Sequence, residues 1–339
     1  MTRRPSTTAM LPLLPLLLLL LQVIRAPLLF VSAQKFEPYE LNGGLISAVA
    51  ARDFIVIASD TRFMGSSGYD IVSRQHITSR LWMAGDDDSS PLLSSIAKTS
   101  RSRQQQPTKV VLPKAPTTMT FIGSAGCSTD CEALKRLIQA DLRQAVYFGE
   151  CANHPSSPHP PVDQVANLLS QVLFSRRGFP FYAFCIAAGL HVSEAGGGGR
   201  VFVYDAIGSY EEVAVATTGT GRDLLQPILD GKFRTLVAAT STSDDTPSLS
   251  ASSPALAVIN RKRTTTVPTQ VDCTEEEAIS ILIDGYRSVS EREIGVGDNM
   301  VLCVVRRKKT KQQSSDVGDG NDSDDCVECS VYSVPLKQH

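Results

Sequence analysis

The sequence lacks an excess of charge of either sign: 33 Lys and Arg stand against 35 Asp and Glu, a formal net charge of −2. That argues against a nucleic-acid binder held by phosphate contacts, and no polyanion partner is implied. Cysteine is also sparse for a disulfide scaffold, with 8 residues in 339, four of them in segments that read as helix or strand. They are expected to be reduced and mostly buried. No internal repeat of fixed period is visible, which excludes a solenoid. With 20% charged and 42% hydrophobic residues the chain is not wholly disordered. Its length fits two domains or one domain with insertions.

The N-terminus reads as a secretory signal. Arg3 and Arg4 precede an apolar run from Ala9 to Ile24, and Val31-Ser32-Ala33 offers a small-residue cleavage site. Pro12, Pro15 and Arg25 interrupt the run, so a permanent anchor is the weaker reading; a removed propeptide and an over-extended start are the alternatives. Two stretches, Asp86 to Pro116 and Thr240 to Pro268, turn polar and read as surface insertions, since neither has the apolar content to offset its ordering entropy. Ala195 to Gly199 is nearly all glycine and suits a hairpin connection. After Val305 the chain becomes basic (Arg306 to Lys311), then acidic (Asp316 to Asp325), as a solvated tail or a nuclear address would. Cys326-Val327-Glu328-Cys329 has metal or redox spacing but no second pair nearby. Cys151 with His154 and His159 lies in a Pro-rich loop without an obvious fourth ligand.

Between these segments the patterning predicts strands at Leu45 to Ala50, Phe54 to Ser59 and Thr118 to Ile122. A helix follows, with Thr129 and Glu132 as a capping box and Leu134, Leu137, Ile138, Leu142 and Ala145 as its apolar face. A second helix opens at Asp163 as N-cap. Strands are expected at Phe181 to Leu190, Val201 to Asp205 and Val213 to Thr217, then a short helix kinked at Pro227, a helix capped by Thr274 and Glu277, and a last strand at Met300 to Val305. This order suggests antiparallel sheets between helical layers.

Ordered motifs then point to one family. They are Phe36-Glu37-Pro38-Tyr39-Glu40-Leu41-Asn42-Gly43-Gly44, Ala58-Ser59-Asp60-Thr61-Arg62, Gly123-Ser124-Ala125-Gly126-Cys127 with Asp130-Cys131, and Ser175-Arg176-Arg177-Gly178-Phe179-Pro180-Phe181-Tyr182. Further along come Ala188-Gly189-Leu190, Tyr204-Asp205-Ala206-Ile207-Gly208-Ser209-Tyr210, Leu225-Gln226-Pro227-Ile228-Leu229-Asp230 and Glu291-Arg292. Together they resemble the β-type subunits of the proteasome, and within them the sixth ring position. The resemblance covers roughly 36–305 apart from the insertions, with 1–35 as leader and 306–339 as tail. It implies an α+β fold, a four-layer αββα sandwich of the N-terminal-nucleophile hydrolase type.

Active members of that family cleave their own chain after a glycine and free a threonine, whose hydroxyl attacks while its α-amine serves as base. Here Gly43 fills the pre-cleavage position and Gly44 the nucleophile position. The companion lysine should fall at Thr78, or at His76 without gaps; neither is lysine. Glu293 replaces an aspartate and Val296 a serine, whereas Asp60 and Thr220 match acid and hydroxyl positions. Loss of the nucleophile alone removes on the order of a million-fold in rate. Taken residue by residue, Gly43-Gly44 also suits a strand-entry turn, Asp60 a loop cap, Asp130 a helix-dipole partner and His76 an exposed loop. The resemblance implies a non-catalytic structural subunit of the 20S core, supporting ATP- and ubiquitin-dependent intracellular protein degradation by the assembled complex. Its partners would be other β subunits of its ring, α-ring subunits, the opposite β ring and, indirectly, a regulatory particle, in cytoplasm and nucleus. No cofactor, metal, nucleic acid or membrane is implied. The rival readings are an active hydrolase using another nucleophile, and a secreted binding protein carrying a glycan at Asn321.

Overall fold

A computed structural model describes residues 39–65, 68–85, 108–111, 118–147, 160–191, 198–240, 269–308 and 326–337. The leader, most of both insertions, Cys151 with its two histidines, and the acidic run of the tail lie outside the described residues.

Two antiparallel sheets face each other. The first has six strands: β1 (Leu45–Ala50), β2 (Phe54–Asp60), β6 (Thr108–Val111), β11 (Val215–Gly219), β12 (Asn299–Lys308) and β13 (Cys326–Pro335), in the order β11-β1-β2-β12-β13-β6. The second has five: β5 (Leu81–Met83), β7 (Thr118–Gly126), β8 (Ala183–His191), β9 (Gly199–Tyr204) and β10 (Tyr210–Val213), in the order β10-β9-β8-β7-β5. A small ribbon pairs β3 (Phe63–Met64) with β4 (Ile71–Ser73). Helices α1 (Ser128–Tyr147) and α2 (Val162–Ser175) cover the second sheet, and α3 (Arg222–Thr240) and α4 (Glu275–Ser290) the first. This is the expected αββα sandwich.

The layering explains why strands such as Leu45–Ala50 read as unbroken apolar runs, since both faces are covered. Ile46, Ala48 and Ala50 enter the core between the sheets, while Leu45 and Val49 enter the core under α3 and α4. On β8, Ile186, Ala188 and Leu190 face the first sheet, and Ala183, Cys185 and Ala187 lie beneath α1 and α2. The period of two thus divides one hydrophobic run between two cores.

Several expectations need correction. The tail is not solvated throughout: Cys326–Pro335 is an interior strand, paired with β12 on one side and β6 on the other. The strand β6 in turn comes from within the first expected insertion. Val213 to Thr217 is two strands, because Ala214 carries the chain from the second sheet into the first. The helix expected to be short and kinked runs from Arg222 to Thr240 with Pro227 inside it. Helix α1 begins at Ser128, so Thr129 sits within its first turn and does not cap it, and α2 has Pro161 as its N-cap with Asp163 already helical. The Thr274 box is present: the Glu277 N–H donates to the Thr274 hydroxyl at 3.3 Å, and the Thr274 N–H donates to the Glu277 carboxylate at 2.9 Å. Thr274→Ala is expected to cost about 1 kcal/mol, checked by thermal or urea unfolding.

Candidate functional site

The segment ahead of β1 is tied down on both sides. The Asn42 N–H donates to the Gly126 carbonyl at 3.1 Å, and its side-chain amide donates to the Met64 carbonyl at 3.0 Å. Its Oδ1 accepts from the Ser128 N–H at 2.7 Å. Its carbonyl accepts from the Met64 N–H at 3.0 Å and from Arg80 Nη2 at 3.0 Å. Asn42 therefore bridges β3 and the end of β7, and its amide is buried and satisfied. Upstream, the Tyr39 ring stacks on Phe179 with centroids 5.7 Å apart, and its hydroxyl donates to the Pro180 carbonyl at 2.9 Å.

Residue 44 follows in a left-handed backbone, φ 105°, which a β-branched residue does not adopt without strain. Its N–H donates to the Gly295 carbonyl at 3.3 Å, and its carbonyl accepts from the Thr220 N–H at 3.0 Å. The Thr220 hydroxyl sits 3.5 Å from the same carbonyl. A Cβ on residue 44 would lie 2.6 Å from Arg80 Cζ and 2.9 Å from Arg80 Nε and Nη1. The volume a side chain at residue 44 would need is filled by a guanidinium.

Arg80, at the entrance to β5, is the residue the sequence reading missed. It forms a buried ion pair with Asp60 (Nη1 to Oδ1, 2.7 Å), with side chains 4% and 0% exposed. Asp60 also accepts from the N–H groups of Leu45 (2.9 Å), Gly297 (3.1 Å) and Arg62 (3.3 Å). Complete burial pushes its carboxyl up from the ordinary range, and the Arg80 charge and these three N–H groups pull against that. The matched acid position is thus a structural anchor whose lone pairs are used. The cation beside it comes from residue 80 and not from residue 78: Thr78 is exposed, and its carbonyl accepts from Lys135 Nζ at 3.3 Å.

The loop after α4 closes the other side. The Glu293 carboxylate accepts from the Gly295 N–H at 3.0 Å, turning the loop toward Gly43 and Gly44. Val296 is fully buried in the core under α3 and α4, where its side chain serves packing. Asp298, left-handed at φ 66°, holds Arg62 through two hydrogen bonds of 2.9 and 3.3 Å, and Arg62 reaches the Ile294 carbonyl at 2.9 Å. The fold therefore gathers Gly43, Gly44, Asp60, Thr220, Glu293 and Val296 and leaves Thr78 outside. Asp130, in the first turn of α1, accepts from the Tyr182 N–H at 2.8 Å.

His76 is half-buried rather than an exposed loop residue. Its Nε2 lies 2.7 Å from the Ser79 hydroxyl, and its ring packs on Phe63 with centroids 4.7 Å apart. Burial, then the Arg80 charge, push its pKa down to about 4. The unfolded chain takes up this proton near pH 6.5 and the folded one only near 4, so stability falls as pH drops through that window. The expected loss, up to about 3 kcal/mol, is read from urea unfolding across pH, and His76→Gln is expected to flatten it.

Among the described residues no cysteine is in a disulfide, and burial pushes the Cys131 thiol up to about 12. Cys326 and Cys329 point to opposite faces of β13, the latter fully buried between the sheets. No group of three or more His, Cys, Asp or Glu could hold a metal ion among the described residues. No helix there is long and apolar enough to cross a membrane.

The proteasome subunit family profile matches residues 116–245. A proteasome subunit beta type-1 of Danio rerio is 27% identical over 279 residues, 82% of this chain and 87% of the relative. Its Arabidopsis thaliana namesake is 28% identical over 282 residues, 83% and 96% of the two chains. The Drosophila melanogaster one is 29% identical over 272 residues, 80% and 86%.

Proposed function

We propose that this chain, similar to the proteasome subunit family and to proteasome beta type-1 subunits, is a non-catalytic β subunit of the 20S core. It would hold neighbours that carry the nucleophiles and help wall off the proteolytic chamber, within ATP- and ubiquitin-dependent degradation in cytoplasm and nucleus. The observation that carries this reading is the guanidinium of Arg80 in the side-chain volume of residue 44. Chemistry at that position needs an alcohol or thiol and a free α-amine. Residue 44 supplies no side chain, and its N–H donates a hydrogen bond to the Gly295 carbonyl at 3.3 Å. In this reading Thr220 holds Gly44, Asp60 anchors Arg80 and the Leu45 N–H, Glu293 shapes the loop at Gly295, and Thr78 and Val296 serve as surface and core.

The leader would be removed near Gln34 or Lys35 by a neighbour's active site, well ahead of the anchored Tyr39 to Asn42 segment. Contacts to the same β ring, the α ring and the opposite β ring would be of the large obligate kind. Native mass spectrometry of the endogenous complex, with the N-terminus of this chain determined, is the test. The expected result is a chain inside the assembled particle, starting ahead of Tyr39 and unlabelled by a threonine-directed epoxyketone. A chain that sediments alone, or one labelled on its first residue, overturns the proposal.

A further inference from the structure

Phe174 to Phe181 places three phenylalanines and two arginines in one short segment at the end of α2. Phenylalanine is among the residues most often buried, yet Phe174 is 53% and Phe179 67% exposed, five residues apart. Both arginines sit over rings: Arg177 Cζ is 4.4 Å from the Phe174 centroid, and Arg176 Cζ is 5.5 Å from that of Phe181. Arg177 also donates to the Phe174 carbonyl at 3.2 Å. The turn is braced from behind by the Tyr39 stack on Phe179 and the Tyr39 bond to the Pro180 carbonyl. Arg176 and Phe181 then form one wall of a groove of about 900 Å3, which α1 closes with Arg136 and Leu137. Three guanidiniums border this face. The Glu132 carboxylate in the groove is already paired with Arg136 at 3.1 Å.

We propose that this face docks an acidic surface patch of another subunit of the same particle. Its carboxylates would be taken by Arg176 and Arg177, and one apolar side chain would enter the groove between Leu137 and Phe181. The inference rests on the assembly reading above and adds which face is used and what it recognises. Guanidiniums held against rings lose little further freedom on binding, and their planar forks match carboxylates. Arginine beside exposed aromatics is also the composition of interface hot spots.

The test uses the full chain in cells that assemble the particle. The wild-type arm is read first: if that chain never enters a particle, the assembly reading falls independently of this face. Given wild-type assembly, Arg176→Glu with Arg177→Glu is expected to lower the incorporated fraction at least about tenfold on native gels. Arg176→Lys with Arg177→Lys is expected to keep more, because charge survives without the planar fork. Against misfolding as the cause, a benzophenone amino acid at position 174 in the otherwise unaltered chain is expected to crosslink to an Asp- or Glu-rich segment of another subunit. Wild-type incorporation of the double Glu variant overturns the proposal. So does an assembled particle without a crosslink at 174, or with one to a client polypeptide or to a segment lacking carboxylates.

Discussion

Gly44→Thr is expected to leave the protein without hydrolytic activity and to destabilise it. Restoring the missing alcohol is the obvious repair if absence of a side chain were the whole defect. The backbone at residue 44 is left-handed, which costs a β-branched residue about 1–3 kcal/mol. The new Cβ would meet Arg80 Cζ at 2.6 Å, where overpacking adds roughly 1–3 kcal/mol. Arg80 has little room to retreat, being bonded to Asp60 and to the Asn42 carbonyl. The measurements are labelling by an epoxyketone and the unfolding midpoint of the variant. A labelled, wild-type-stable Gly44→Thr chain would show that the guanidinium does not block the site.

Arg80→Met is expected to cost about 3–5 kcal/mol, because it strands the Asp60 carboxylate without its cation in a fully buried position. The pair need not be worth that much. Two buried charges lose hydration that their attraction only partly returns, so Asp60→Asn with Arg80→Met is expected to cost less than the sum of the single changes. A double-mutant cycle by urea unfolding gives the coupling directly. Additive losses would mean that Arg80 contributes packing alone.

The layers were legible where a strand run was long enough to feed two cores and a helix carried a clear stripe. Met300 to Val305 and Phe54 to Ser59 are continuous apolar runs and stand side by side in the first sheet. The glycines were legible because Asn42-Gly43-Gly44 and Asp60-Thr61-Arg62 stand as ordered motifs, although the partners they hold, such as Ser128, Gly297 and Asp298, are distant in sequence. Arg80 was not, because pairing by count looks for a cation at a set spacing. A guanidinium at the start of β5 reaches Asp60 from residue 80. The available signal was a charged residue directly before the apolar Leu81-Trp82-Met83. In β13, the alternation of Val327, Cys329 and Val331 was present, and all three enter the core between the sheets. The preceding acidic run and the metal-like cysteine spacing drew the reading away from it.

Because β13 lies between β12 and β6, the first sheet joins segments synthesised more than two hundred residues apart, with Ser333 opposite Thr108. The nascent chain can pair β1 with β2 early. It cannot seal the cavity between the sheets until Pro335 has cleared the ribosomal exit tunnel. Until then Val301, Cys303 and Val305 have an open flank beside them, and chaperones have a reason to meet this polypeptide before its neighbours do.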